Sequence, residues 1–178
     1  MHRPAWFGSI GGRLAAVIAL FAVGMIALVA VLSWLNAGAV VQSHRDQIRG
    51  VVETAFGVVE RQYKDAQEGR VSEPEAKERA KATLRMIRYN KTDYIFVHDD
   101  TATQVVLGAR PELEGSDVSK NVDRNGLYFS LEMINRGKEL GAGYIDYLFP
   151  KPGAAQLDVS PKTAYFRRFA PWGWTVGT

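Results

Sequence analysis

Cysteine is absent from the 178 residues, which removes disulfide scaffolds, thiolate metal sites and cysteine nucleophiles. Histidine is nearly absent: His2, His44 and His98 stand alone, none with a partner at metal-ligand spacing, so no metal site is expected. The charge excess is only +3, and Lys and Arg are scattered among acids without a basic block. Nucleic-acid binding is therefore not expected. No G-x-S-x-G or Walker pattern occurs. Gly141-Ala142-Gly143 lacks the preceding strand and the third glycine of a dinucleotide fingerprint. Asp123-Arg124-Asn125-Gly126 opens like a calcium loop but lacks the later ligands and the closing Glu, so it reads as a turn. Asp99-Asp100, between two strand-like segments, also reads as a turn rather than an acid–base pair. Neither a cofactor nor an enzymatic activity is expected. No internal repeat occurs.

Charge is also missing from Leu14 to Leu35, and here the absence is a positive signal. A helix of that length rises roughly 33 Å, about the hydrocarbon thickness of a bilayer. Trp6-Phe7 and Trp34 flank it as interfacial aromatics would. The run exceeds the apolar core of a secretory signal, which favours a retained span. Ala37-Gly38-Ala39 nevertheless has the form of a cleavage site, so a released, soluble periplasmic binding module stays as the alternative. Arg3 and Arg13 precede the run, and no Lys or Arg follows until Arg45. This bias keeps the N-terminus cytoplasmic and places the larger part outside the cell membrane. The expected organisation is a cytoplasmic segment 1–13, a transmembrane helix 14–35 and an extracytoplasmic domain 36–178.

Beyond the span, Val41, Ile48, Val52, Ala55, Val59 and Tyr63 recur at helical spacing, predicting a helix from Asn36 to about Gln67. Their stripe suits a sheet or the same helix of a second copy, so a homodimer through this membrane-proximal helix is expected. Ser72-Glu73-Pro74-Glu75 is a capping box with proline in the first turn. The helix it opens carries Ala76, Ala80, Leu84 and Ile87 and is expected to close at Arg88-Tyr89-Asn90. The period then changes. Tyr94 to His98, Gln104 to Leu107, Gly143 to Phe149, Lys162 to Phe169 and Trp174 to Thr178 read as strands, with a short helix from Leu127 to about Arg136. Pro150 to Gly153 breaks the third strand. Short connections between successive strands predict an α+β fold, an antiparallel sheet with helices on one face.

Cations among aromatics stand out. Arg88-Tyr89 precedes a strand with Tyr94 and Phe96, Tyr147 and Phe149 share one face of another, and Lys162 and Tyr165 open the next. An Arg or Lys with tyrosine hydroxyls and aromatic walls suits a small anion. The same residues could instead fill a core with their cations in solvent, and the pattern alone leaves both readings open.

These segments also carry a resemblance. They are Ile87-Arg88-Tyr89, Asp93 to Val97, Pro111 to Gly115, Asp123 to Gly126, Gly143 to Tyr147, Pro150 to Gly153, Pro161 to Tyr165 and Trp172-Gly173-Trp174. In this order, from about Val41 onward, the chain resembles the single Cache domain of bacterial transmembrane receptors, chiefly methyl-accepting chemotaxis proteins. The resemblance implies a PAS-like antiparallel sheet fronted by a long helix, and a pocket for small organic ions, often short carboxylates. Carried onto this chain, it implies Arg88, Tyr94, Phe96, Tyr147, Lys162 and Tyr165 as the ligand-binding residues. Lys162 or Arg88 would take the carboxylate, Tyr94 and Tyr165 would add hydrogen bonds, and Phe96 and Tyr147 would form walls. Family members often have His-Pro where Leu107-Gly108 stands and Trp where Phe149 stands, so ligand identity does not transfer. They also continue into a second membrane helix and a signalling domain, so the chain reads as a receptor fragment. A non-binding, dimerising spacer is the remaining alternative.

Overall fold

A computed structural model describes residues 10–90, 92–150 and 159–178, with only the backbone given at 35–38. The expected contributions of His2, Arg3, Trp6, Phe7 and Lys151-Pro152-Gly153 lie outside the described residues. The chain divides into a unit of residues 1–44 and a unit of residues 45–178.

In the first unit, helix α1 (Ile10–Gln67, continuing into the second) is long and apolar enough to cross a membrane. Its large side chains are exposed throughout, Phe21 at 74% and Ile26 at 70%. No polar stripe interrupts them, so burial in a soluble core does not explain the segment. Phe, Ile, Leu and Val exposed on all sides suit lipid as solvent.

In the second unit, α1 buries one face through Ile48, Val52, Ala55, Phe56 and Val59. Full burial of each branched side chain contributes roughly 1.5–3 kcal/mol. This offsets the cost of Gly50 and Gly57 in the helix, about 1 kcal/mol each relative to Ala. Helix α2 (Glu73–Met86) starts as its capping box predicts: the Ser72 side chain accepts from the Glu75 amide at 3.4 Å. Ala76, Ala80 and Leu84 face inward. The helix stops earlier than expected, however. Ile87 turns extended, and Arg88–Tyr89 is a strand, β1, paired antiparallel with β2 (Asp93–Tyr94). Asn90 at φ +43° reverses the chain between them.

The main sheet contains β3 (Phe96–Asp99), β4 (Gln104–Leu107), β5 (Ala142–Pro150), β6 (Val159–Phe169) and β7 (Trp174–Gly177). Its order is β4-β3-β7-β6-β5, antiparallel at every pair. The five expected strands are all present. The fourth starts at Val159 rather than Lys162, so Pro161 lies inside a strand. It pairs with Leu148 of β5, while β7 joins β6 only from Phe166 onward. A proline without an N–H is tolerated where its other edge carries no ladder.

Helix α3 (Phe129–Leu140) starts later than expected because Asp123 captures the Leu127 amide for a turn. It ends at Gly141, whose φ of +81° is the left-handed conformation of a helix terminus. Contrary to the one-sided arrangement expected, helices cover both faces of the sheet. Helices α1 and α2 pack on Val97, Val106, Tyr165, Phe169, Trp174 and Val176. The opposite face holds Phe96, Ile145, Tyr147, Ala164 and Phe166 against Phe129 and Met133 of α3. Successive buried residues, Phe96-Val97 and Tyr165-Phe166, point to opposite faces, and an apolar surface on both sides requires two covers.

Candidate functional site

Strand parity builds the site on the α3 face. Tyr147 and Phe149 project from β5, and Lys162 is the cross-strand partner of Tyr147 on β6. Phe129, in the first turn of α3, stacks on Tyr147 with ring centroids 4.5 Å apart and planes inclined by 15°. Phe149 closes the group edge-on, 5.9 Å from both. Phe96 sits further along the same face and stacks on His98 at 4.9 Å.

Lys162 gives this aromatic group its chemistry. Its ammonium lies 5.2 Å from the centre of the Tyr94 ring and 5.7 Å from that of Phe149. Ring faces attract a cation, but they satisfy none of its three N–H donors as a carboxylate would. Among the described residues no carboxylate pairs with it. Burial pushes the amine's pKa below its ordinary value, opposed by the field of Asp93. Burial also raises the Tyr94 hydroxyl's pKa, with Arg110 opposing, and raises that of Tyr147. Both phenols are therefore neutral at physiological pH and available as hydrogen-bond donors. A desolvated cation, two neutral phenols and apolar rings are together the kind of groups that suit a small anion with an apolar part.

The six expected site residues thus separate. Tyr94, Phe96, Tyr147 and Lys162 share a face. Arg88 and Tyr165 are not brought to it. The Arg88 guanidinium donates to the carbonyls of Arg85 at 2.6 Å, Ile87 at 2.9 Å and Gly108. It clamps the end of α2 to the loop after β4. Tyr165 projects to the α1 face, where its hydroxyl donates to Glu53 Oε1 at 2.9 Å. Arg167 pairs with the other oxygen of Glu53 and lies 3.7 Å over the Phe56 ring.

Two contributors escaped sequence reasoning. Phe129 belongs to no aromatic–cation pattern. Asp123, expected in a turn, does more: Oδ1 accepts from the amides of Asn125 at 2.8 Å and Leu127 at 3.0 Å, and Oδ2 accepts from Leu148 at 3.0 Å. These bonds hold its pKa below the ordinary carboxyl value, the Leu148 bond most strongly. Gly126, at φ +84°, completes the turn. Asp99 likewise accepts from the amides of Thr101 and Thr103, so the expected turn is present. Among the described residues no cluster of His, Asp or Glu could hold a metal ion.

A five-stranded antiparallel sheet with a long helix on one face and a shorter helix on the other is the architecture of a chemoreceptor-type sensor domain. The chain belongs to the single Cache family: residues 40–178 match the family described as Single Cache domain 2. This is a non-enzymatic family of chemoreceptor sensor domains. The chain is 32% identical over 141 residues to the methyl-accepting chemotaxis protein McpP of Pseudomonas putida, covering 79% of this chain and 26% of that protein. It therefore spans about a quarter of that relative's length. Its fold matches the solved periplasmic sensor domain of a chemotaxis protein with a TM-score of 0.73 and 35% identity, over 77% of this chain and 94% of the other. A second match is a Cache chemosensory domain solved for the structural basis of its carboxylic acid recognition. There the TM-score is 0.71 and identity 31%, over 76% of this chain and 91% of the other.

Proposed function

We propose that this domain senses a short organic acid on the outer side of the bacterial cell membrane. The observation that carries the reading is the Lys162 ammonium: half-buried between Tyr94 and Phe149, with no carboxylate partner among the described residues. A ligand carboxylate supplies that partner, Tyr94 donates a hydrogen bond, and Tyr147, Phe149 and Phe96 face the apolar part. Carboxylic acid recognition by the structurally similar Cache domain supports the assignment.

Residues 14–35 form the membrane span and 36–178 the sensor, with the positive N-terminal flank in the cytoplasm. The apolar helix and the periplasmic relative support this placement. Strand β6 carries Lys162 toward the ligand and Tyr165 and Arg167 toward Glu53 of α1, so α1 is the element that passes binding onward. A ligand shifts such an element only by its differential affinity for two arrangements. Val40 and Val41, exposed on α1 next to the span, form the dimer contact with a second copy.

Titration calorimetry of the full chain in detergent with acetate, propionate, pyruvate and lactate tests the ligand class. Binding of at least one, with heat lost on Lys162→Ala, is expected. A folded protein that binds none of the four refutes the carboxylate reading.

A further inference from the structure

Strands β1 and β2 are two residues long each and form a sheet of their own, apart from the main one. A lone two-stranded hairpin is marginally stable in water. Its place is set by side chains that tie it to its surroundings. The Arg88 guanidinium donates to the Gly108 carbonyl after β4. At the turn, Asn90 Oδ1 accepts from Gln47 Nε2 of α1 at 2.9 Å. The Tyr94 ring lies against the Lys162 ammonium of β6, its centre 5.2 Å from the nitrogen. The remaining tie is to Thr178, buried directly after β7.

The direction of the bonds at Thr178 follows from proton counting. A threonine hydroxyl has a single proton to give. Thr178 gives it to the Tyr94 carbonyl at 3.0 Å, so the Tyr89 hydroxyl, also bonded to Thr178 Oγ1, is the donor there. Burial pushes the pKa of Tyr89 up to about 12, which keeps that donor protonated at physiological pH. One hydroxyl thus holds both strands of the hairpin, Tyr89 of β1 and Tyr94 of β2. The Thr178 amide in turn donates to the Tyr165 carbonyl of β6 at 3.3 Å. Thr178 therefore fastens the hairpin to the strand that carries Lys162.

We infer that the β1–β2 hairpin is a conformational relay between Lys162 and helix α1, with Thr178 as its pin. Tyr94 is the end that meets Lys162, and Asn90 is the end that meets α1. Short strands bonded together at Thr178 shift as one piece, and such weakly supported elements are the ones that move. A change of charge at Lys162 displaces Tyr94, the hairpin carries the displacement to Asn90, and Gln47 receives it. This route to α1 is separate from the one through Tyr165 and Arg167 to Glu53. It requires no particular ligand, so it stands apart from the carboxylate reading.

Coupling of this kind is demonstrated by perturbing one end and reading the other. The test is nuclear magnetic resonance of the full chain in detergent with isotope-labelled glutamine, the Gln47 side-chain amide being assigned by its loss in Gln47→Ala. Lys162→Met is expected to shift the Gln47 signal while leaving that of Gln62, on the same helix, in place. In a Thr178→Val background, which keeps the side-chain shape and removes the hydroxyl, the shift is lost; in Thr178→Ser it is kept. Tyr89→Phe removes only the donor to Thr178 and abolishes the shift too, which serves if the valine variant fails to fold. Tyr165→Phe, which breaks the Glu53 route, leaves the shift intact. A Gln47 signal unmoved by Lys162→Met overturns the relay, as does a shift that survives Thr178→Val or Tyr89→Phe. A shift lost in Tyr165→Phe but kept in Thr178→Val also overturns it and assigns the coupling to Glu53.

Discussion

Replacing Lys162 by methionine separates a ligand-binding cation from a structural one. Methionine keeps an unbranched apolar stem against Tyr94 and Phe149, so the packing of the side chain survives. Two effects on ligand-free stability then oppose. The variant loses the attraction of the ammonium for two ring faces, about 0.5–2 kcal/mol. It also loses the cost of holding a charge in a desolvated place where, among the described residues, no carboxylate pairs with it; this burial lowers the pKa, with the field of Asp93 opposing. The net change is within about 1 kcal/mol of zero, and a melting temperature measures it. Binding behaves differently. Truncating one partner of a buried, hydrogen-bonded charge pair costs about 2–5 kcal/mol, roughly 30- to 5,000-fold in affinity. The sign of the pH dependence follows from the direction of the shift. The folded state holds the proton less tightly than the unfolded chain. Ligand-free wild type therefore gains stability as pH rises through the folded pKa toward the ordinary lysine value, and Lys162→Met abolishes that gain. Carboxylate binding weakens over the same alkaline interval, because it needs the ammonium. A variant that melts several kcal/mol lower but binds propionate normally would show that Lys162 serves the fold and not the ligand.

Four further outcomes follow from other parts of the domain. Tyr165→Phe removes one donor to Glu53 and is expected to lower stability by about 1 kcal/mol, while leaving carboxylate affinity within about twofold in calorimetry, because Tyr165 faces α1. Arg88→Ala leaves three backbone carbonyls without their guanidinium partner, so it reduces thermal stability without removing ligand binding. His98, buried and neutral, has its pKa pushed down to about 4 by burial, against a hydrogen bond from its ring to Gln104 and the field of Asp99. Its contribution to stability is full above the unfolded value of about 6.5, is lost as pH falls toward about 4, and amounts to about 3 kcal/mol. The difference in melting temperature between wild type and His98→Leu, followed from pH 7 to pH 4, isolates it. Gly177→Ala places a Cβ 2.5 Å from the tip of Phe96 and 3.1 Å from the Tyr165 carbonyl, so chemical denaturation should show a loss of about 1–3 kcal/mol.

Local chemistry made most of the fold legible. The capping box at Ser72, the stripe from Ile48 to Val59 and the aromatic and β-branched strands each depend on residues near in sequence, and each appears where expected. The failures occur where a distant group decides. Arg88-Tyr89 reads as the end of a helix until Asp93 and Tyr94 are folded back beside it. The start of α3 depends on a carboxylate that takes Leu127 into a turn while also holding β5. That helices cover both faces follows only once Phe96, Tyr147 and Phe166 gather on one side of the sheet.

The separation of Lys162 from Tyr165 is a different matter, because the sequence contained the answer. Side chains of a regular strand alternate with a period of two, so residues three apart point to opposite faces. If Lys162 faces the ligand, Tyr165 cannot. The same arithmetic keeps Tyr147 with Phe149, and Lys162 with Ala164 and Phe166, as observed. What the period does not supply is which face receives a ligand. That depends on the cross-strand register that sets Lys162 beside Tyr147, and on the neighbour covering each face. On the α1 face, Glu53 is present to take the Tyr165 hydroxyl and the Arg167 guanidinium, so the polar groups satisfy one another. On the α3 face, Phe129 contributes a ring and no charge. Among the described residues Lys162 is thus left without a carboxylate partner, on the same strand whose other two cations are paired, Arg167 with Glu53 and Arg168 with Asp100.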